Sequence, residues 1–225
     1  MLLHETPEIA AGIDHLIATE PLFADADLSR FEWRRRDADF GGLIRMILGQ
    51  QVSVQAAAAM WAKLAVLMPE SDPAVFLTLD DPQLASAGFS RQKMRYGRAL
   101  ADTLVADPHF LARLDESDDE TVIATLITLP GIGRWSAEVY LMFCLGRPDV
   151  WPAGDLGIVL GAQYLLGLPE KPKQDEVIAI AERWKPHRSA AALLTWHHYS
   201  GVAAARRREQ RGRREQREAA KGSAR

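Results

Sequence analysis

Cysteine is almost missing from this chain: 225 residues hold one, Cys144. A single thiol forms no intrachain disulfide, and it cannot supply a four-cysteine iron–sulfur cluster. No His/Cys/Asp spacing suggests zinc. Long apolar runs are missing too. None approaches the roughly 20 residues of a membrane span, and the N-terminus lacks a basic segment followed by an apolar one. A cytoplasmic protein with no membrane partner is therefore expected. Nothing alternates with period two for long enough to mark a sheet, and no repeat recurs at solenoid periods. A positive balance is also lacking, since the net charge is −3.

The charge is unevenly spread. Residues 206–225 carry nine Lys/Arg against three Glu, a net of +6, which leaves 18 basic and 27 acidic residues elsewhere, a net of −9. An acidic body meets an anionic polymer through local patches and backbone dipoles, not a global field. The segment 209–225 has almost no large apolar residue, so it cannot bury a face and reads as a basic flexible tail. The triplet Arg34-Arg35-Arg36 reads as a solvated surface.

Helical periodicity covers the rest. It predicts helices over Pro7 to about Thr19, Phe40 to Leu48, a Ser53-capped run to Met68, Pro73 to Leu79 and Pro82 to Ala87. Further helices are expected over Arg91 to Val105 after a Ser90 cap, Pro108 to Leu114, Leu156 to Leu166, Asp175 to Trp184, and Ser189 to about Arg208. The fold class expected is all-α.

The most informative stretch is Leu129-Pro130-Gly131-Ile132-Gly133-Arg134-Trp135-Ser136-Ala137-Glu138. It joins two helical segments, Thr121 to Thr128 and Ala137 to Leu145, and Ser117 with Glu120 suggests a capping box for the first. Pro130 and Gly131 stop that helix. Gly131 and Gly133 permit a tight hairpin with uncovered backbone N–H groups, beside the positive end of the next helix. Such a turn suits a polymer phosphate. Downstream, Trp151-Pro152-Ala153-Gly154-Asp155 sets an acid at the end of a Pro/Gly loop before another apolar helix. A phosphate-gripping hairpin followed about twenty residues later by such an acid is a DNA-repair pattern. An Asp before a helix is also an ordinary N-cap.

These residues resemble the helix-hairpin-helix DNA glycosylases, and within them the 3-methyladenine DNA glycosylase II family. Leu129 to Gly133 matches the hairpin, and Gly154-Asp155 the loop with its catalytic aspartate. Ile47-Leu48-Gly49-Gln50-Gln51-Val52-Ser53, Gly131 to Ala137 with Trp135, and Trp184-Lys185-Pro186-His187-Arg188-Ser189 agree. The resemblance spans about residues 10 to 200.

The resemblance implies a six-helix subdomain at 37–146 carrying the hairpin. A second subdomain would form from 1–36 and 147–208, with Asp155 in the cleft between them. It leaves no length for the extra β-rich domain of some members. Asp155 would stabilise the oxocarbenium-like sugar or activate water. Trp135 stands where strand-cutting members have a Schiff-base lysine, so hydrolysis alone is expected, with the indole stacked on the flipped base. A core aromatic at a helix start is the alternative for Trp135. Trp196 matches a pocket tryptophan, and a buried core residue is an equal reading. Tyr140 joins the pocket set, and Val139 replaces an aromatic common in the family.

Gln51 matches the wedge that fills the gap left by the flipped base, beside Gln50, whose amide could instead satisfy backbone groups. The DNA backbone would meet Leu129, Gly131, Ile132, Gly133 and Arg134, with Lys93, Arg95 and Arg98 as further phosphate candidates. A monovalent cation, Na+ or K+, at the carbonyls of Leu129 and Ile132 is also implied. No other cofactor is. Arg188 and Ser189 would either hydrogen-bond Asp155 or brace the last helix. The partner expected is double-stranded DNA with damaged bases, bound by a monomer at the nucleoid. Two alternatives stay open: a glycosylase of this fold for deaminated or mismatched bases, and a non-catalytic helix-hairpin-helix DNA-binding module.

Overall fold

A computed structural model describes residues 2–28 and 33–202. The basic tail at 209–225 and the end of the expected last helix lie outside the described residues. Helices account for nearly all regular structure. Among the described residues the sole β pairing is an isolated bridge between Leu2 and Arg34. None of the described helices is long and apolar enough to cross a membrane.

The chain divides into two compact units. One takes the described residues of Met1–Thr6 and Trp33–Val150, the other those of Pro7–Glu32 and Trp151–Arg225. The borders expected at 36/37 and 146/147 thus move. Leu3 N–H donates to the Trp33 carbonyl at 2.7 Å, and Arg36 N–H to Phe143 at 2.8 Å. These main-chain bonds tie residues 2–6 and 33–36 into the first unit.

The first unit holds α2 (Phe40–Gly49), α3 (Val54–Leu67), α4 (Pro73–Thr78), α5 (Asp81–Ser86), α6 (Arg91–Ala106), α7 (Phe110–Glu116), α8 (Asp119–Leu126) and α9 (Arg134–Tyr140). Short polar residues open them. Side-chain oxygens of Asp39, Ser53, Asp72, Asp80, Ser90 and Asp118 accept first-turn N–H groups of α2, α3, α4, α5, α6 and α8. Each such cap stabilises its helix by about 1 kcal/mol. Asp118, not Ser117, caps α8. Ser117 instead ends α7 and donates its hydroxyl to the Arg113 carbonyl at 2.7 Å. The carboxylate is the stronger acceptor, and it also takes the Thr121 hydroxyl at 2.7 Å.

The core of this unit gathers where α2 and α4 meet α6. A Cβ on Gly97 would lie 2.7 Å from Phe76 Cζ and 3.0 Å from Ile44 Cδ1, so glycine lets α6 close on both neighbours. Phe40 and Phe89 pack on Phe76 at 5.3 and 5.6 Å between ring centroids. After α9 the helix widens into a π turn, Leu141–Leu145, ended by Gly146 at φ 72°. Arg35 donates to the carbonyls of Cys144 and Leu145, and the Arg36 guanidinium lies over the Phe143 ring. The arginine triplet is therefore partly a cap on this helix end, not simply solvated. Cations suit the negative end of a helix.

In the second unit, α1 (Pro7–Thr19), α10 (Leu156–Leu165) and α11 (Gln174–Ala181) join a final helix, α12, over residues 188–202. A 3-10 turn, Glu182–Trp184, follows α11. A Cβ on Gly12 would meet Ala190 and His187 at 3.1 Å, so α1 lies close on the start of α12. A Cβ on Gly161 would lie 2.6 Å from Thr195 Cγ2 and 2.8 Å from its carbonyl oxygen. That contact sets the distance between α10 and α12.

Candidate active site

The hairpin belongs to the first unit. Ile132 N–H donates to the Leu129 carbonyl at 3.1 Å and closes the turn. Gly131 sits at φ 83°, and a Cβ there would fall 2.1 Å from Tyr96 Cδ2. Glycine is required at this position twice over, by the backbone conformation and by the ring packed beneath it. Gly133 differs. It is the N-cap of α9 at φ −100°, and a Cβ would have open space. It offers no side chain to cap the first N–H groups of α9, which leaves them aimed outward for an anion.

Three side chains expected to meet DNA have partners within the protein. Arg134 donates through Nη1 and Nη2 to Glu120 at 3.2 and 2.6 Å and through Nε to Glu138 at 3.0 Å. The guanidinium staples α8 to α9, and Glu120 raises its pKa further. Lys93 donates to the carbonyls of Leu48 and Gln50 at 2.7 and 2.9 Å, capping the end of α2, and burial lowers its pKa. Arg98 is likewise engaged, with Asp81 and the Leu79 carbonyl, while Arg95 is exposed.

The two glutamines separate in role. Gln50 turns inward, and its amide donates to the Gly131 carbonyl at 2.7 Å. It is a strut between α2 and the hairpin, not part of a wedge. Gln51 is exposed and held at φ 57°. A non-glycine residue in this region costs roughly 1 kcal/mol, and such positions concentrate at functional sites.

Trp135 is half-buried in the first turn of α9. Tyr140 is a correction. It is 0 % exposed, its hydroxyl has no hydrogen-bond partner among the described residues, and burial raises its pKa. A residue so enclosed cannot stack on an incoming base. The carbonyl oxygens of Leu129 and Ile132 are hard donors that fit a monovalent cation. Leu129 keeps a second lone pair beside the one taken by Ile132.

The acid lies in the second unit, on a loop built of buried apolar groups. Trp151 is buried, donates its indole N–H to the Val177 carbonyl at 3.1 Å, and packs on Trp184 at 5.2 Å. Trp184 is 1 % exposed, and its own indole donates to Glu20 at 2.7 Å, a carboxylate that Arg183 also pairs with. The loop then folds back twice, through Ala153 N–H to the Trp151 carbonyl at 2.8 Å and Asp155 N–H to Pro152 at 2.9 Å.

Asp155 caps α10: its Oδ1 accepts the Ile158 N–H at 3.1 Å and the Trp196 indole N–H at 2.7 Å. Trp196 is 8 % exposed and counts among the buried residues, as the core reading expects. The polar edge of its ring is committed to the acid. Arg188, at the start of α12, lies 3.8 Å from Glu182. Ser189 is fully buried beside it.

Comparison with known proteins assigns the family. A model of the HhH-GPD superfamily of base excision DNA repair proteins matches residues 44–187. DNA-3-methyladenine glycosylase 1 of Schizosaccharomyces pombe is 31% identical over 160 residues, 68% of this chain and 69% of that relative. The chain belongs to the HhH-GPD superfamily. YfjP of Bacillus subtilis is 32% identical over 124 residues, 55% of this chain but only 43% of its own length. The chain thus spans less than half of that relative. The solved structure of S. pombe 3-methyladenine DNA glycosylase in complex with abasic DNA superposes with a TM-score of 0.72 at 26% identity. It covers 83% of this chain and 95% of that one.

Sequence reasoning missed two features of the site that had signals. Gly157 and Gly161 stand four residues apart on α10, the spacing that lets a second helix come close. Trp151, which opens the acid loop, signals an anchor. The Lys93–Gln50–Gly131 linkage had no local signal, because its members lie far apart in sequence.

Proposed function

We propose that this member of the HhH-GPD superfamily is a monofunctional DNA glycosylase that removes alkylated purines of the 3-methyladenine type from duplex DNA. One observation carries the reading: a carboxylate, Asp155, fixed by an indole N–H at 2.7 Å on a loop of buried apolar side chains. Fixed charge in a place of low mobility is what a cationic sugar transition state requires. The names of the relatives supply the substrate class.

In this reading the C1′–N bond breaks and its electron pair leaves with the base. The sugar becomes oxocarbenium-like, and Asp155 stabilises that charge. Water then adds at C1′ and loses its proton toward the carboxylate. An alkylated purine already carries positive charge, so it departs as a neutral base with little acid assistance. Trp135 stacks on that cation, a contact worth roughly 0.5 to 2 kcal/mol. Gln51 plugs the stack after base extrusion. The main chain of Leu129 to Arg134 grips phosphate, and the carbonyls of Leu129 and Ile132 would hold a monovalent cation, which would supply positive charge there. The protein acts as a monomer on nucleoid DNA in the cytoplasm.

The test is release of free 3-methyladenine from methylated duplex DNA by the full chain and by Asp155→Asn. Wild-type release, with a loss above a hundredfold in the variant and retained DNA binding, is the expected result. Release of uracil but not of methylated bases would transfer the site to deaminated bases. DNA affinity without any release would leave a binding module.

A further inference from the structure

We propose that Trp196 is a positioning residue for Asp155, brought into place by the two glycines of α10. The inference rests on the reading of Asp155 as the carboxylate of the reaction. Three contacts support it. The Trp196 indole N–H donates to Oδ1 at 2.7 Å. A Cβ on Gly157 would stand 2.9 Å from Trp196 Cδ1, 3.1 Å from its Nε1 and 3.0 Å from Asp155 Oδ1. One turn on, Gly161 lets the Thr195 main chain approach to 2.8 Å of the same hypothetical position. A side chain at either glycine would push α12 away and take the indole with it.

The arrangement has a chemical consequence beyond packing. Asp155 Oδ1 accepts two hydrogen bonds, from Ile158 N–H and from the indole. Both are made to the same oxygen. They also fix the torsion of the carboxylate, which a single main-chain cap leaves freer. The indole is a donor only, so it cannot take the water's proton itself. Its work is to hold the carboxylate aimed.

Two substitutions separate this role from a pocket wall. Trp196→Phe keeps an aromatic ring and removes the donor. Gly157→Ala leaves both partners intact and wedges a methyl group between them. Alanine is also the better helix former, which offsets part of the cost of the wedge, and a urea melt checks that the variant is folded under the assay conditions. The measurement is single-turnover release of 3-methyladenine from methylated DNA by the full chain, over a range of enzyme concentrations. Both variants should release base about tenfold more slowly at saturating enzyme, the scale of a hydrogen bond to a charged group. The enzyme concentration at half-maximal rate should stay at the wild-type value, because the indole aims the acid and does not bind the base.

A companion measurement needs no turnover. With aspartate labelled by 13C at the carboxyl carbon, the Asp155 signal, assigned by its loss in Asp155→Asn, should move in Trp196→Phe and Gly157→Ala relative to the wild type at one fixed pH, because the hydrogen bond to the carboxylate is lost. An unmoved carboxyl signal and an unchanged release rate in both variants would overturn the inference. So would a Trp196→Phe defect confined to KM. An active Asp155→Asn variant would instead remove the reading of the acid itself, and the inference with it.

Discussion

The side-chain amide of Gln50 donates to the carbonyl oxygen of Gly131 across 81 positions of sequence, at 2.7 Å. The main-chain carbonyl of Gln50 in turn accepts from Lys93 at 2.9 Å. The end of α2, the start of α6 and the hairpin turn are thereby one hydrogen-bonded unit, and Gln51 rides on it at the next position.

Gln50→Leu should loosen that unit without unfolding it. A lost hydrogen bond of this kind costs about 1 kcal/mol. Affinity for undamaged duplex is expected to fall roughly fivefold, and base extrusion, read by 2-aminopurine fluorescence beside a lesion, should fall further because Gln51 loses its footing. Lys93→Met should reproduce the extrusion defect. Full extrusion in both variants would show that the wedge loop stands on its own.

The two hairpin glycines should behave oppositely. Gly131→Ala forces a Cβ onto Tyr96 at a positive φ, and a destabilisation on the order of 3 kcal/mol is expected in urea melts. Gly133→Ala meets no atom within 4 Å, so stability should change by less than about 0.5 kcal/mol. Its added methyl still stands where phosphate would approach, and binding should weaken alike on all sequences. Unaltered duplex affinity in Gly133→Ala would remove the hairpin from the DNA contact.

The N-caps at Ser53 and Ser90, the Asp155 cap and the Gly131 turn were legible because each is a local event within four residues of chain. Asp118 displaced Ser117 for a reason the sequence also contains, since a carboxylate outcompetes a hydroxyl for the same N–H groups. Arg134 and Lys93 show the opposite case. A basic residue beside a hairpin reads as a phosphate contact until the fold brings Glu120 or an exposed helix end to it, and those pairings depend on tertiary structure. Tyr140 was misplaced by a similar route. Its position beside a pocket residue says nothing of the helix face it occupies, and its face is the core.

Cys144 should be chemically silent in the native protein. It is 1 % exposed, and burial pushes its thiol up from 9.0 to about 12. The thiolate is the reactive form. Below pH 9 both folded and unfolded thiols are protonated, and between 9 and about 12 only the unfolded one ionises. The cysteine therefore contributes stability below pH 9 that is lost as pH rises toward 12. Iodoacetamide at pH 8 should leave the native chain unlabelled and modify it fully in guanidinium. Rapid native labelling would mean that the end of α9 opens readily.

Trp135 decides what happens after the base leaves. A glycosylase that also cuts the strand needs an amine to attack C1′ and form a Schiff base. An indole nitrogen has its lone pair in the ring and cannot do this. The nearest basic side chain in sequence, Arg134, is an always-charged guanidinium held by Glu120 and Glu138. Incubation with a lesion duplex should therefore give an intact abasic strand, cleaved only on later treatment with alkali. Sodium borohydride should trap no covalent protein–DNA adduct. Replacing Trp135 with Lys puts an amine at this position of α9, and weak trapping in that variant alone would tie the lack of lyase chemistry to the indole. Trapping by the wild-type chain would assign the attack to an amine elsewhere and end the monofunctional assignment.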